Sequence, residues 1–473
     1  MKDNRNYLIK LLREEVKPAV GCTEPVALAL GCAKAKELLD EDIVENEIFV
    51  SHNIYKNGMG VGIPGTKILG LKIAAAMGMV AGHSENGLSV LETLSEEEVK
   101  QSEEFLEAND ISITPKETKE KVFIEVFLKG NNNTAKIRIR DKHDNFTYFE
   151  KNGEVLFNSE EASANDDNLE NSNSNKKTVE NINEEVKKVN NESKDNDLND
   201  KNSSESEIAL KDMTIEEIIK NVENMNFEDI AFLIEGIEMN ENMAEYGLKE
   251  KVGIGVGYGI RKSIEEGLIT DDLINHAMML TASASDARMS GIKLPVMSSN
   301  GSGNHGLTAI LPIVAYNDKF PQTEEKLAKA LAISHLVTGY IKNFTGRLSA
   351  VCGCGVAAST GACAGVSWLM ECNERQIEGA IQNMIANLSG MICDGAKPGC
   401  ALKLASAASA AMQSAIIAKM DCLVPSKNGI IGDTVEESIK NLGRVSDLGM
   451  SITDEVILDV MNDMNKVKSK IEC

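Results

Sequence analysis

Apolar positions recur at helical spacing over residues 3–18 and again over 23–39, predicting two helices. Beyond them Ile, Val and Phe alternate with polar residues over 47–53, 121–128, 134–140 and 146–157, the period of half-buried strands. A helix of small residues is predicted at 69–81. From residue 214 to the end most segments carry the helical period. Many are rich in Ala, Gly, Ser and Met, as over 356–370 and 401–420. Small side chains let helix backbones approach closely but fill little space, so these helices are expected to be central and mutually packed. The pattern predicts an α+β protein: an N-terminal α+β domain over 1–157, then a mainly α-helical domain over 208–473. No fixed-period repeat is present. The tract between them, 158–207, is dominated by Asn, Asp, Glu, Ser and Lys and contains no aromatic residue. It cannot bury enough apolar surface to offset its ordering entropy, and is expected to be a disordered insertion or linker, with a weak helix near 179–189.

Length supports the division, since 473 residues exceed one ordinary core. A formal net charge of −24 argues against nucleic acid and anionic membrane surfaces as partners, although part of it sits in the acidic tract. Aromatics at 4% offer few stacking platforms for single strands. No apolar run approaches the roughly 20 residues of a membrane span, and the N-terminus lacks a signal-peptide pattern. A cytoplasmic protein is expected. In that compartment the ten cysteines are expected to be buried thiols, nucleophiles or metal ligands rather than disulfides.

Six of the ten lie between Cys352 and Cys400 inclusive. The stretch LSAVCGCGVAASTGACAG, 348–365, is followed by GMICDGAKPGCALK, 390–403. Cys352 and Cys354 flank a glycine, and Cys393 and Cys400 form a C-x6-C pair across a Gly/Pro turn. Thiols on irregular backbone with glycine beside them suit a soft metal or an iron–sulfur site. Paired C-x2-C motifs, which a zinc ribbon requires, are absent. The competing reading is tight helix packing of small buried residues, and it better suits Cys32, Cys363, Cys372 and Cys422, which fall in helical patterns.

A second constellation is AVGCTEPVALAL, 19–30. Thr23 is a candidate N-cap with Glu24 and Pro25 in the first turn, which puts Cys22 at a helix N-terminus that favours a thiolate. Cys22 is a candidate base, nucleophile or ligand; an ordinary turn before a helix is the alternative. Third come two polar glycine-rich loops, HNIYKNGMGVGIPGT (52–66) and SSNGSGNHGLTAILP (298–312). Neither has phosphate-loop or dinucleotide-loop spacing. They offer Asn53, Asn300, Ser302, Asn304 and His305 to a small carboxylate substrate, or are simply turns. Lys397 and Lys403 stand near the thiols, but no Schiff-base lysine can be singled out.

Together VGCTEP (20–25), KNGMGVGIPGT (56–66), NGSGNHGLTAILP (300–312), RLSAVCGCGVAASTGA (347–362) and MICDGAKPGCALK (391–403) resemble the L-cysteine desulfidase family, itself similar to the iron–sulfur serine dehydratases. The acidic tract is a departure from that family. The resemblance implies a [4Fe–4S] cluster held by three cysteines and the conversion of L-cysteine to pyruvate, ammonia and sulfide. Its implied ligands are Cys393, Cys400 and one of Cys352 and Cys354. Cys354 is favoured because SAVCGC is similar to a serine dehydratase stretch. It also implies that Cys22 is a base or a ligand. Cys473 is expected to be a frayed terminal thiol, the alternative being that it reaches the site as a cysteine near the end of the serine dehydratases can. The nearest competing function is an L-serine or L-threonine dehydratase. A non-catalytic iron–sulfur electron carrier or sensor, and a metal-free structural protein, are the readings of other classes. The expected partners are a small amino-acid substrate and, from the small-residue helical surface, a second copy in a homodimer.

Overall fold

A computed structural model describes residues 3–159, 209–346 and 349–471. The chain divides into two compact units, Cys22–Ser204, and Met1–Gly21 with Glu205–Cys473. The first 21 residues join the helical unit, whereas the sequence pattern assigns them to the strand-containing domain. Helix α1 (Arg5–Glu15) supplies Leu8 and Leu12 to the same apolar core as Ile215, Ile218 and Leu336. Strand β1 (Pro18–Ala19) pairs antiparallel with β8 (Val296–Met297). An amphipathic helix shows which face seeks cover, but not which core supplies it. The predicted linker lies almost wholly in 160–208, outside the described residues.

The unit that begins at Cys22 is α+β. It holds α2 (Thr23–Leu39), β2 (Glu45–Ser51), α3 (His52–Gly58), α4 (Leu71–Ala81) and α5 (Glu96–Ala108). The strands β3 (Ile113–Lys116), β4 (Phe123–Lys129), β5 (Thr134–Arg140), β6 (Phe146–Lys151) and β7 (Glu154–Asn158) follow. The sheet order is β3-β2-β4-β5-β6-β7, with only β2 and β3 parallel. Alternation puts Ile124, Val126, Ile137 and Ile139 on the face that α2 covers, where Gly31 lies against Val126 and Ile137. Opposite, Glu125 accepts from Arg138 Nε at 3.0 Å. The predicted strand over 146–157 is two strands, because Asn152 and Gly153 both take positive φ (53° and 80°) and close a hairpin. The predicted strand over 47–53 stops at Ser51, whose hydroxyl accepts from Ile54 N–H and starts α3.

The other unit is a bundle of helices: α6 (Ile215–Glu223), α7 (Glu235–Lys249), α8 (Val256–Glu265), α9 (Leu273–Met289), α10 (Gly303–Lys319), α11 (Glu324–Thr345), α12 (Ser359–Leu369), α13 (Glu374–Leu388), α14 (Cys400–Lys419), α15 (Val435–Arg444) and α16 (Thr453–Ile471). Small residues let these backbones meet. A side chain at Gly361 or Gly365 would run into the carbonyls of Ser334 or Ala330 on α11. Among the described residues one helix, α14, is long and apolar enough to cross a membrane, and 56% of its apolar window is buried inside this fold. Of the cysteines expected to be packed in helices, Cys32, Cys363 and Cys372 are buried, but Cys422 is exposed. The helix ends at Lys419, and Asp421 turns left-handed (φ 57°), so Cys422 falls in the connecting turn.

Candidate active site

The cysteine-rich segments meet in the helical unit. Val351 and Ile392 form an antiparallel bridge, with Cys352 N–H donating to Met391 O at 2.8 Å and Cys393 N–H to Ala350 O at 2.7 Å. After the bridge the chain makes a π-helical turn, Gly353–Ala358, which Cys352 caps by accepting from Gly355 N–H at 3.3 Å. The Cys352 thiol meets those of Cys354 and Cys393, and Cys393 lies within electrostatic reach of Cys400, the first residue of α14. Cys352 is buried; Cys354, Cys393 and Cys400 are half-buried. The thiol of Cys354 beside it, together with burial, pushes Cys352 up to about 12, against an opposing contact from Cys393. Asp394 sits between Lys397 and Lys403 and pairs with both; Lys403 Nζ also donates to Ile392 O at 2.8 Å. Burial raises the Asp394 carboxyl, but the two lysines outweigh it and hold the group below its ordinary range. The loop that carries Cys393 is thereby tied to α14, which carries Cys400.

His305 is buried beside this cluster. Its Nδ1 faces the Ser299 carbonyl at 3.1 Å, and a side chain added at Gly353 would strike its Nε2. A carbonyl can only accept, so Nδ1 carries the proton and Nε2 presents a lone pair toward the Cys352–Cys354 turn. Burial above all, aided by Lys342, lowers the His305 ring to about 3. Asn304 is buried and its Oδ1 accepts from Arg288 Nη1 at 3.0 Å. Asn300, at φ 48°, spends its amide on Ser299 Oγ and His335 O, so it organises the loop. Ser302 is the N-cap residue of α10 and makes no side-chain cap bond.

In the other unit Cys22, and not Thr23, occupies the N-cap of α2, where it is buried. Thr23 begins the helix and turns its hydroxyl to Glu24. Glu24 also accepts from Asn57 Nδ2 at 2.9 Å, so α3 brings Asn57 to the start of α2; Asn53 is half-buried on the same short helix. Cys473 lies outside the described residues. Among the described residues no three His, Cys, Asp or Glu side chains form a group for one metal ion. The cysteines are soft donors drawn from three backbone segments, a set suited to a polynuclear thiolate-bound cluster in which each iron takes its own sulfur.

Arg288, Lys342 and His335 escape a motif search because each sits inside a helical pattern. The available signal was a cation or histidine among small apolar neighbours, as in ASASDARM and HLVTGYIK, and all three are buried. An open cleft of about 410 Å³ beside Trp368 is lined by none of the candidate site residues, although Cys372 borders it.

The family described as Serine dehydratase alpha chain matches residues 85–459. A UPF0597 protein of Clostridioides difficile (strain 630) is 68% identical over 460 residues, 97% of this chain and 100% of that one. UPF0597 proteins of Alkaliphilus oremlandii (strain OhILAs) and Caldanaerobacter subterraneus subsp. tengcongensis are 50% and 41% identical, each covering 98% of this chain and 99% of its own length. The chain belongs to the serine dehydratase alpha-chain family.

Proposed function

We propose that this chain is a lyase that eliminates the β-substituent of L-cysteine, giving pyruvate, ammonia and sulfide, with a [4Fe–4S] cluster held by Cys354, Cys393 and Cys400. The observation that carries the reading is the Val351–Ile392 bridge, which brings the Cys352–Cys354 segment to the Cys393 segment in a serine dehydratase-like chain, with Cys400 within electrostatic reach of Cys393. When bound, a cluster with three protein ligands supplies an open iron that acts as a Lewis acid on the β-sulfur. The Lys397–Asp394–Lys403 group holds the ligand loop, and both lysines act to lower the Cys400 thiol against the burial that raises it. Cys22 is the proposed acceptor of the α-proton, from a helix N-terminus that lowers the cost of its thiolate. Loss of the α-proton and of hydrosulfide leaves aminoacrylate, which water converts to pyruvate and ammonia.

The family description favours a second reading, in which hydroxide leaves from L-serine. Pocket contacts decide between them. Purification without air, a visible spectrum, and sulfide and pyruvate assays on one sample test both. A thiolate–iron absorbance with equal sulfide and pyruvate from L-cysteine supports the desulfidase. Pyruvate from L-serine with little sulfide from L-cysteine moves the assignment to the dehydratase, and a protein that takes up no iron sinks both. The same reading assigns the enzyme to the cytoplasm and, from its small-residue helices, to a homodimer, which sedimentation velocity tests.

A further inference from the structure

Arg288 is a buried cation with no carboxylate against it among the described residues. It is 5% exposed, near the end of α9. Nη1 donates to Asn304 Oδ1 at 3.0 Å and Nη2 to Gly21 O at 2.5 Å, while Nε makes no hydrogen bond among the described residues. The acid two residues before it, Asp286, is committed to the backbone N–H groups of Gly255 and Gly257, both at 3.1 Å. A guanidinium taken out of water without a counter-charge is costly, and its donors then await an acceptor.

The place where it waits is a helix start. A side chain at Gly303, the first residue of α10, would collide with the guanidinium, so Gly303 is the residue that lets Arg288 lie against this end. The first intrahelical bond there is Gly306 N–H to Ser302 O, which leaves the N–H groups of Gly303, Asn304 and His305 without helical partners. Alpha helices favour anions at this end. Lys342 adds positive charge, since it and Arg288 both act on His305. Gly301, in the loop before the helix, is exposed.

We propose that Arg288 and the N-terminus of α10 bind the α-carboxylate of the amino-acid substrate. Nε–H supplies the charged donor and the free backbone N–H groups the neutral ones. Asn304 is a positioning residue that orients the guanidinium. This inference rests on the elimination reading for the identity of the substrate, but not for the anion site itself.

The test uses L-alanine, which has no β-leaving group and cannot be turned over, against L-alaninamide, which lacks the carboxylate. Calorimetry on the iron-loaded wild type is expected to show at least tenfold tighter binding of L-alanine. Equal binding, or none of either, overturns the proposal. Arg288→Lys and Arg288→Ala, checked for folding by circular dichroism, are expected to lose that preference, with methylguanidinium restoring it in Arg288→Ala. In turnover, KM should rise about 10- to 100-fold, the worth of a charged hydrogen bond, with a smaller change in kcat. A folded Arg288→Ala protein that binds L-alanine like wild type sinks the site. If the variants do not fold, the wild-type comparison still decides. A wild type that leaves L-cysteine and L-serine intact, yet binds L-alanine through Arg288, retires the elimination reading and keeps the site. Turnover with unchanged KM in Arg288→Lys does the reverse.

Discussion

His335 is held neutral by its surroundings. It is buried on α11, with Nδ1 2.9 Å from Ser299 Oγ and Nε2 without a partner among the described residues, and burial lowers its ring to about 3. The unfolded chain therefore binds a proton that the folded chain refuses once pH drops below the ordinary histidine range. The sign is a loss of stability as pH falls from about 6.5, at up to about 1.4 kcal/mol per pH unit for this one group. Urea unfolding of His335→Gln at a series of pH values should show a shallower acid loss than wild type. Among the cysteines, Cys393→Ser and Cys400→Ser are expected to abolish the visible absorbance and reduce bound iron severalfold. Cys422→Ser, at an exposed turn, should leave both unchanged. Iron retained by both ligand variants would contradict the ligand assignment. The cysteine cluster was legible at this scale because its spacing and glycine neighbours are local. The buried Arg288 and Lys342 were not, since a charge inside a helical pattern looks the same whether it faces solvent or a cavity.

Among the elements, hydrophobic period placed the segments it bounded, such as α2, α4, α14 and β5, to within a few residues, because period and geometry share one cause. The exceptions were decided by single residues. Asn152–Gly153 splits one apolar alternation into a hairpin, Ser51 turns a strand into a helix, and Cys22 takes the cap expected of Thr23. Helices of small residues gave the weakest signals of orientation, since nearly every face is apolar enough to be buried. Their packing makes a testable point at Gly78 on α4. A side chain there would collide with the Ala29 carbonyl on α2. Gly78→Ala is expected to cost about 1–3 kcal/mol through forced separation of the two helices, read as a lower unfolding midpoint. A wild-type midpoint would mean that α2 and α4 do not approach as closely as described.

Across the whole molecule, the proposed chemistry carries its own liability, because an iron open to substrate is also open to oxygen. Activity and visible absorbance should fall together when the purified enzyme stands in air, and return on anaerobic reconstitution with iron and sulfide. Activity undiminished by long exposure would count strongly against the cluster. Composition, period and motif by themselves determined the α+β class, the helical C-terminal half and which cysteines are candidates for iron. These are properties of neighbouring residues, and local chemistry expresses them. Only the tertiary structure decided that the first 21 residues join the helical unit, that Val351 and Ile392 bridge the two thiol segments, and that Arg288 lies at the start of α10 with its Nε unpartnered among the described residues. Each depends on residues far apart in the chain competing for the same buried space, and no local pattern records who wins that competition.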